Sequence, residues 1–242
     1  ASDVYKRQGN NKLLLIVEPK YAKAAMDIYQ EMDKKKLTLK MQIRQEYYRV
    51  KELLDGKRPS RMDLFTYMDD EIYRICVSGS HAKENPFQHY LDFLYELGEL
   101  SEDEQELYAG IGREFIQTIE TTEMQKVYKM PILYSFYNHG NIRLAVTDEE
   151  VLESWKEFFD TGTNWKDFPN VNTYEDYKKV TDKQHLSKAK RMPIRFLKAS
   201  GKGFFVEKNG YALALRDEIG DVVGNMAFGE QMGDVLGYRS LE

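Results

Sequence analysis

Residues 186–215 read LSKAKRMPIRFLKASGKGFFVEKNGYALAL. Leu186–Ala199 has the apolar spacing of a helix, although Pro193 must either bend that helix or mark its first turn. Two β-prone runs then flank Asn209-Gly210. An Asn-Gly pair in that position is a strong hairpin signal, because a type I′ turn needs a positive φ at both central residues. The stretch therefore predicts a helix followed by a β-hairpin.

Three elements upstream extend this pattern. Lys126–Tyr137 has helical spacing, Ile142–Val146 alternates like a half-buried strand, and a capping box opens a helix at Thr147. The two strands of the hairpin are Phe204–Glu207 and Tyr211–Leu215. The order helix, strand, helix, helix and hairpin is the winged-helix arrangement, in which the hairpin, or wing, packs beside the recognition helix. Residues 125–242 are therefore predicted to form a winged-helix-like module that ends in a further helix.

The preceding part of the chain, residues 9–124, is predicted to be a helical module. Apolar residues recur at four-residue spacing from Lys20 to about Asp55. A capping box at Ser101 begins a helix that is expected to run past Ile119. The predicted fold class is mainly α with a small β component, a helical module followed by a winged-helix-like module with a β-hairpin wing.

Positive charge is concentrated in one segment. The chain has 35 Lys and Arg residues against 40 Asp and Glu residues, which gives a formal net charge of −5. Residues 178–208 contain ten basic and two acidic residues, a local charge of +8 that leaves −13 on the rest. Cations on a recognition helix and wing would contact phosphates and release condensed counterions. The predicted nucleic-acid-binding residues are Lys188, Lys190, Arg191, Arg195, Lys198, Lys202 and Lys208.

The charge pattern leaves a second interpretation open, because exposed lysines also occur on modules that bind proteins. Residues Glu96–Glu123 contain nine acidic residues and one basic residue, for which a solvated helix surface is the usual explanation. In the alternative, this acidic helix and the basic segment dock against a protein partner. Within the predicted recognition helix, Phe196 and Leu197 are expected to face the core.

Few residues suit catalysis or a metal site. Cys76 is the only cysteine, and its apolar neighbours indicate a small buried hydrophobe in a reducing cytosol. Glu18-Pro19-Lys20, after the predicted buried strand Leu13–Val17, matches half of a metal-dependent nuclease motif, but the only upstream carboxylate is Asp3. That strand is much shorter than the roughly 20 apolar residues of a membrane span. No catalytic, cofactor-binding or metal-binding residue is predicted, and a cytoplasmic location without a membrane partner is expected.

The two ends of the sequence also lead to an expectation. The opening ASDVYKRQ resembles translated sequencing-adapter sequence at the ends of metagenomic contigs, so Ala1–Gln8 are predicted to be non-native. The last residues stop inside a predicted helix. We therefore expect this sequence to be a piece of a longer protein, and a trimmed expression product would have the same consequence.

Five segments share a pattern with a known family. They are Lys57–Leu64, Phe87–Leu100, Thr121–Gly140, Lys190–Pro193 and Asp234–Arg239. Together they resemble the region C-terminal to the ATPase core of bacterial DEAD/DEAH-box-like DNA helicases, which are related to restriction and phage-defence translocases. The resemblance implies an ATP-dependent helicase or translocase, with this chain as a non-catalytic accessory region that binds duplex DNA and the motor lobes of the same parent chain. ATP and Mg²⁺ would belong to that parent, because the family's nucleotide-binding and DEAD-type motifs have no match here.

Overall fold

The computed structural model describes residues 38–124 and 126–241 and, in addition, the backbone of two short strands. The chain divides into two compact units, residues 1–44 and residues 45–242. In the first unit, β1 (Tyr5–Gln8) pairs antiparallel with β2 (Lys12–Leu15). The strand predicted at Leu13–Val17 is thus confirmed in its first three residues. The Glu18-Pro19-Lys20 motif and the first part of the helix predicted from Lys20 lie outside the described residues.

The second unit is mainly helical. Helix α1 spans Leu39–Leu53. The following helices are α2 (Arg61–Tyr67), α3 (Asp70–Cys76), α4 (Tyr90–Leu97), α5 (Glu102–Ala109), α6 (Ile111–Thr121), α7 (Lys129–Tyr137), α8 (Asp148–Asp160), α9 (Tyr174–Lys178), α10 (Asp182–Ala189), α11 (Arg195–Ser200) and α12 (Met226–Arg239). The strands are β3 (Ala145–Val146), β4 (Phe205–Val206) and β5 (Leu213–Leu215). The predicted fold class, mainly α with a small β component, is confirmed.

The three short strands of the second unit form one antiparallel sheet in the order β3-β5-β4. Strand β5 lies in the middle, and Ala214 faces Ala145 on one side and Val206 on the other. All three residues of β5 are buried. The predicted hairpin is therefore present, and its second strand also pairs with the strand that precedes α8.

The turn of this hairpin differs from the predicted type I′ turn. The N–H of Tyr211 donates to the carbonyl of Lys208 at 3.1 Å, so Asn209 and Gly210 are the central residues. Gly210 has φ +83°, whereas Asn209 is not among the residues with positive φ. A positive φ at the second central residue alone is the pattern of a type II turn. The prediction of a type I′ turn was wrong because the paired strands end at Val206 and leave a loop of more than two residues.

The predicted recognition helix is present, and it is longer than expected. A capping box at Thr181 begins α10, four residues before the predicted start, and the helical run continues to Ser200. Pro193 lies in a π-helical turn, Lys190–Ile194, that joins α10 to α11. Proline has no N–H to donate and crowds the preceding turn of an α-helix, and a wider π turn accommodates both effects.

The helix that begins at Ser101 is shorter than predicted. Its capping box is present, with Ser101 and Glu104 exchanging hydrogen bonds, but α5 ends at Ala109. Gly110 adopts an extended conformation, and α6 begins at the next residue. A Cβ on Gly112 would lie 2.1 Å from a methyl carbon of Leu107, so the two helices approach each other closely. Gly110 and Gly112 thus allow the chain to turn between α5 and α6, where the sequence predicted a single long helix.

The core of the second unit is organised around α12. This helix packs against α2, α5, α6 and α7, and its Met232, Val235 and Leu236 are fully buried. Phe115 of α6 lies 5.3 Å from the ring of Phe204, next to β4. Elements on both sides of residue 124 therefore share one hydrophobic cluster. The division into modules at that position stays a prediction.

A buried network of charges joins α12 to the helices around it. Arg61 is fully buried, and its guanidinium donates to Asp234 Oδ2 at 2.8 Å and to the carboxylate of Glu120. It also donates to Gln231 Oε1 at 2.8 Å. The guanidinium carbon lies 4.5 Å from the ring centroid of Tyr90, whose N–H donates to Glu120 Oε1 at 3.1 Å. The two carboxylates balance the charge of the Arg61 guanidinium, and Gln231 accepts a further hydrogen bond from it. A protein tolerates a buried ion when it is paired and hydrogen-bonded in this way.

Two further arginines extend this network. Arg58 pairs with the buried Glu104, with 2.7 Å between Nη2 and Oε1. Gln231 Nε2 donates to the same carboxylate oxygen at 2.7 Å. Arg239, at the end of α12, donates to the carbonyl of Thr122 at 2.6 Å.

The network corrects the expectation of a solvated acidic face over residues 96–123. Glu104 and Glu120 are buried and are the partners of arginines. Glu102, Asp103 and Glu106 are exposed, as a solvated surface requires. Some acidic residues of this segment are therefore solvated, and others are buried partners of arginines. The order of charges along the sequence does not show which residues belong to which group.

Candidate nucleic-acid interface

The seven predicted contact residues lie along the α10–α11 helical run and in the loops that follow it. Six of them are exposed, and Lys188 is half-buried. Lys202 is in the turn between α11 and β4, where it adopts φ +48°. Lys208 lies in the hairpin loop, beside the ring of Tyr211. The structure thus leaves these cations available to solvent, as a phosphate-contacting surface requires.

Two of the seven predicted residues are held in ion pairs within the chain. Lys190 Nζ lies 2.6 Å from Asp148 Oδ2 at the start of α8, and Lys198 contacts Glu207 just after β4. The hydrogen bond from Lys198 lowers the pKa of Glu207 below its ordinary value. We therefore expect these two lysines to contribute less to phosphate binding than the other five.

Lys188 lies where two parts of the surface meet. Its ammonium group is 5.1 Å from the ring centroid of Tyr128. Burial lowers the pKa of Lys188 below its ordinary value, and the charges of Arg191 and Lys126 add to this effect. A phosphate placed here would oppose that lowering, because a nearby negative charge favours the protonated amine.

The expectation that Phe196 and Leu197 both face the core is half right. Leu197 is buried, but Phe196 is 42% exposed, and the guanidinium carbon of Arg195 lies 5.1 Å from its ring centroid. The π-helical turn at Lys190–Ile194 has more residues per turn than an α-helix, so it shifts the face on which every later residue lies. An α-helical projection of the sequence cannot include that shift.

A groove beside α10 contains two cations that the sequence did not single out. The α9–α10 groove has a volume of about 720 Å³ and lies between α10 and residues 168–180. Lys179 and Lys183 line it together with Lys188 and Arg191. The charge count included Lys179 and Lys183, but neither lies on the predicted recognition helix, which was expected to begin at Leu186. The earlier start of α10 is the reason that this part of the surface was missed.

His185 lies on the buried face of α10, with its ring centroid 5.0 Å from that of Phe168. Burial lowers the pKa of His185 below its ordinary value, and the charge of Lys156 adds to the effect. The carboxylates of Asp182 and Asp160 act in the opposite direction. The neutral ring is therefore the form that the folded state favours.

This burial predicts that acid destabilises the fold. Below about pH 6.5 the unfolded chain protonates His185 while the folded chain resists, so the unfolded state binds more protons. The free energy of unfolding should be fully retained above about pH 6.5 and fall below it, by up to about 1.4 kcal/mol per pH unit. Urea titrations between about pH 5 and about pH 8 measure this slope. His185→Phe should remove it and the exposed-site variant His139→Gln should retain it, whereas an unchanged slope in His185→Phe would contradict the assignment.

Other candidate chemistry is limited within the described part of the chain. Cys76 is fully buried, and burial raises the pKa of its thiol to about 11, so it is scarcely ionised near neutral pH. Among residues 38–124 and 126–241, no three His, Cys, Asp or Glu side chains lie together as metal ligands would.

Comparisons add no assignment to this geometry. Across the described helices, none has both the length and the apolar composition of a bilayer-spanning segment. No protein-family model, curated protein or solved structure matches this chain.

Proposed function

We propose that the C-terminal half of this chain is a winged-helix module that binds duplex DNA. We further propose that the chain is a non-catalytic accessory region of an ATP-dependent DNA helicase or translocase. The observation on which the proposal mainly rests is the set of exposed cations on α10–α11 and the two following loops, in a chain whose remaining charge is strongly negative.

The order and pairing of the elements support a winged helix. Helix α7, strand β3, helix α8, the α10–α11 run and the β4–β5 hairpin follow one another in the expected order. Helix α11 packs against β4, so the hairpin lies beside the proposed recognition helix. In this assignment α10–α11 enters a groove of the duplex while the loop between β4 and β5 contacts the backbone.

The charges support contact with phosphates. Five of the seven cations have no ion pair among the contacts described for them: Lys188, Arg191, Arg195, Lys202 and Lys208. Bringing a net negative protein to DNA requires such a local positive surface, because the remainder of the chain repels the phosphates.

The helicase assignment is supported by the five sequence segments that resemble that family. Two of these segments contain charged residues of the buried network, Arg61 in the first and Asp234 and Arg239 in the last. Their role in this chain is to fix α12 against α2 and α6, which would hold the DNA-binding helices at a constant position relative to an attached motor. The motor itself is a proposal drawn from the resemblance.

Titration of a labelled duplex of about 20 base pairs at increasing salt tests the DNA-binding proposal. We expect the logarithm of the association constant to fall linearly with the logarithm of the salt concentration, with a slope of about −4.5, or 0.9 for each of five contacts. Fluorescence anisotropy measures this binding. If the chain does not bind the duplex at about 25 mM salt, or if its binding does not weaken as salt is added, the proposal fails.

A second candidate function is docking to a protein. Glu102, Asp103 and Glu106 are exposed in α5, and they offer an acidic surface in addition to the basic one. In this alternative both surfaces contact a partner or the motor lobes. A partner that remains bound after nuclease treatment, together with an absence of duplex binding, would favour the second candidate over the first.

A further inference from the structure

The α9–α10 groove combines positive charge with apolar surface. The cations that line it are Lys179, Lys183, Lys188 and Arg191, and Asp176 is the one carboxylate among its described lining residues. Lys179 Nζ lies 3.1 Å from Asp176 Oδ1, so that pair is neutral as a whole. Three positive charges therefore remain on the groove without a carboxylate in it to balance them.

The groove also presents apolar side chains. Pro169, Val171, Val180 and Met192 line it, and Met192 is exposed over about a third of its surface. Val171 and Val180 are half-buried and pack against the hydrophobic core, which fixes their positions. A ligand of this groove would therefore meet a preformed apolar surface beside positive charges.

We infer that the α9–α10 groove binds a single strand of DNA, with phosphates against the cations and bases against the apolar side chains. A single strand exposes both its backbone and the faces of its bases, whereas a duplex keeps the base faces inside its stack. Charge alone would also suit an acidic peptide, but a chain of carboxylates has no use for the apolar lining. The inference rests on the proposed DNA-binding function and names an unpaired strand next to the bound duplex as its substrate class.

Two cations that line this groove are not among the residues proposed to contact the duplex. Lys179 and Lys183 line the groove and lie before the cations assigned to the recognition helix and wing. The double variant Lys179→Glu/Lys183→Glu therefore tests the groove. The matched control is Lys166→Glu/Lys178→Glu, which changes the net charge equally at two exposed lysines that are near the groove in sequence but do not line it.

The experiment measures binding of the full chain to three labelled probes: a thymidine oligonucleotide of about 15 residues, a blunt duplex and polyglutamate of equal charge. At about 50 mM salt, the groove variant should bind the oligonucleotide at least about 10-fold more weakly than the control variant does. It loses the Lys183 contact, which contributes about 0.7 units of salt slope, and it places a second negative charge beside Asp176. Its affinity for the blunt duplex should equal that of the control. Thermal unfolding of both variants identifies any loss of fold, and Lys183→Arg should retain wild-type binding of the oligonucleotide.

The outcomes distinguish this inference from the proposed function. If the groove variant and its control bind the oligonucleotide equally while both bind the duplex, the groove inference is wrong and the DNA-binding function stands. If polyglutamate binds as tightly as the oligonucleotide, the groove is a site for acidic chains and the inference is overturned. If the wild-type chain binds neither DNA probe, both proposals fail.

Discussion

Replacing Arg61 by alanine is expected to lower the free energy of unfolding by about 3–5 kcal/mol. The variant leaves Glu120 and Asp234 without the cation that they share, and it also removes a hydrogen bond to Gln231. Removing one partner of a buried ion pair has this large effect because the remaining charge stays in the protein interior, which solvates it poorly. Urea unfolding monitored by circular dichroism measures the change.

Two companion variants make this expectation specific. Lys156→Ala also removes an ion pair, but Lys156 and Asp182 are exposed, so its effect on the free energy of unfolding should be much smaller than that of Arg61→Ala. Arg61→Lys keeps the positive charge but loses the planar guanidinium group with its several N–H donors. We expect its loss of stability to lie between those of Lys156→Ala and Arg61→Ala. If Arg61→Ala were as stable as Lys156→Ala, the network would not have the structural role described for it.

The second large effect is expected on DNA binding. Reversing two charges, in the variant Arg191→Glu/Arg195→Glu, should weaken binding to a duplex by about 100-fold or more at about 50 mM salt. Both side chains are exposed on the proposed recognition helix. Each contributes a phosphate contact in the proposed complex, and a carboxylate at the same position also repels the backbone.

The matched control reverses two cations elsewhere on the surface. Arg74 and Lys83 are exposed and lie outside α10–α11 and its loops. Arg74→Glu/Lys83→Glu changes the net charge by the same amount, so any difference between the two double variants reports the position of the charge. Equal weakening by both would show that the duplex responds only to the overall charge of the chain.

The sequence predicted the elements of the second unit better than it predicted their ends. Helix α8 and its capping box at Thr147 follow from local hydrogen bonding and apolar spacing, and both are present. The corner at Gly110 depends on the close approach of two helices, a tertiary contact that local spacing does not contain. The π turn around Pro193 is likewise a response to crowding within the helix.

The candidate site shows the same division between local and tertiary information. A count of charges located the basic segment, because lysine and arginine are mostly exposed in folded proteins. It did not show that Lys190 and Lys198 have carboxylate partners, since Asp148 and Glu207 belong to other elements. It also grouped Glu104 and Glu120 with exposed acids, although both are buried against arginines that are distant in sequence.

The salt dependence of duplex binding in a charge-neutral variant tests the central claim most directly. Arg191→Gln/Arg195→Gln removes two proposed phosphate contacts without adding repulsion. Plots of the logarithm of the association constant against that of the salt concentration should have a slope about 1.8 units shallower than the wild-type slope, or about 0.9 for each contact. Equal slopes in the variant and the wild type would contradict the claim that these side chains bind phosphates.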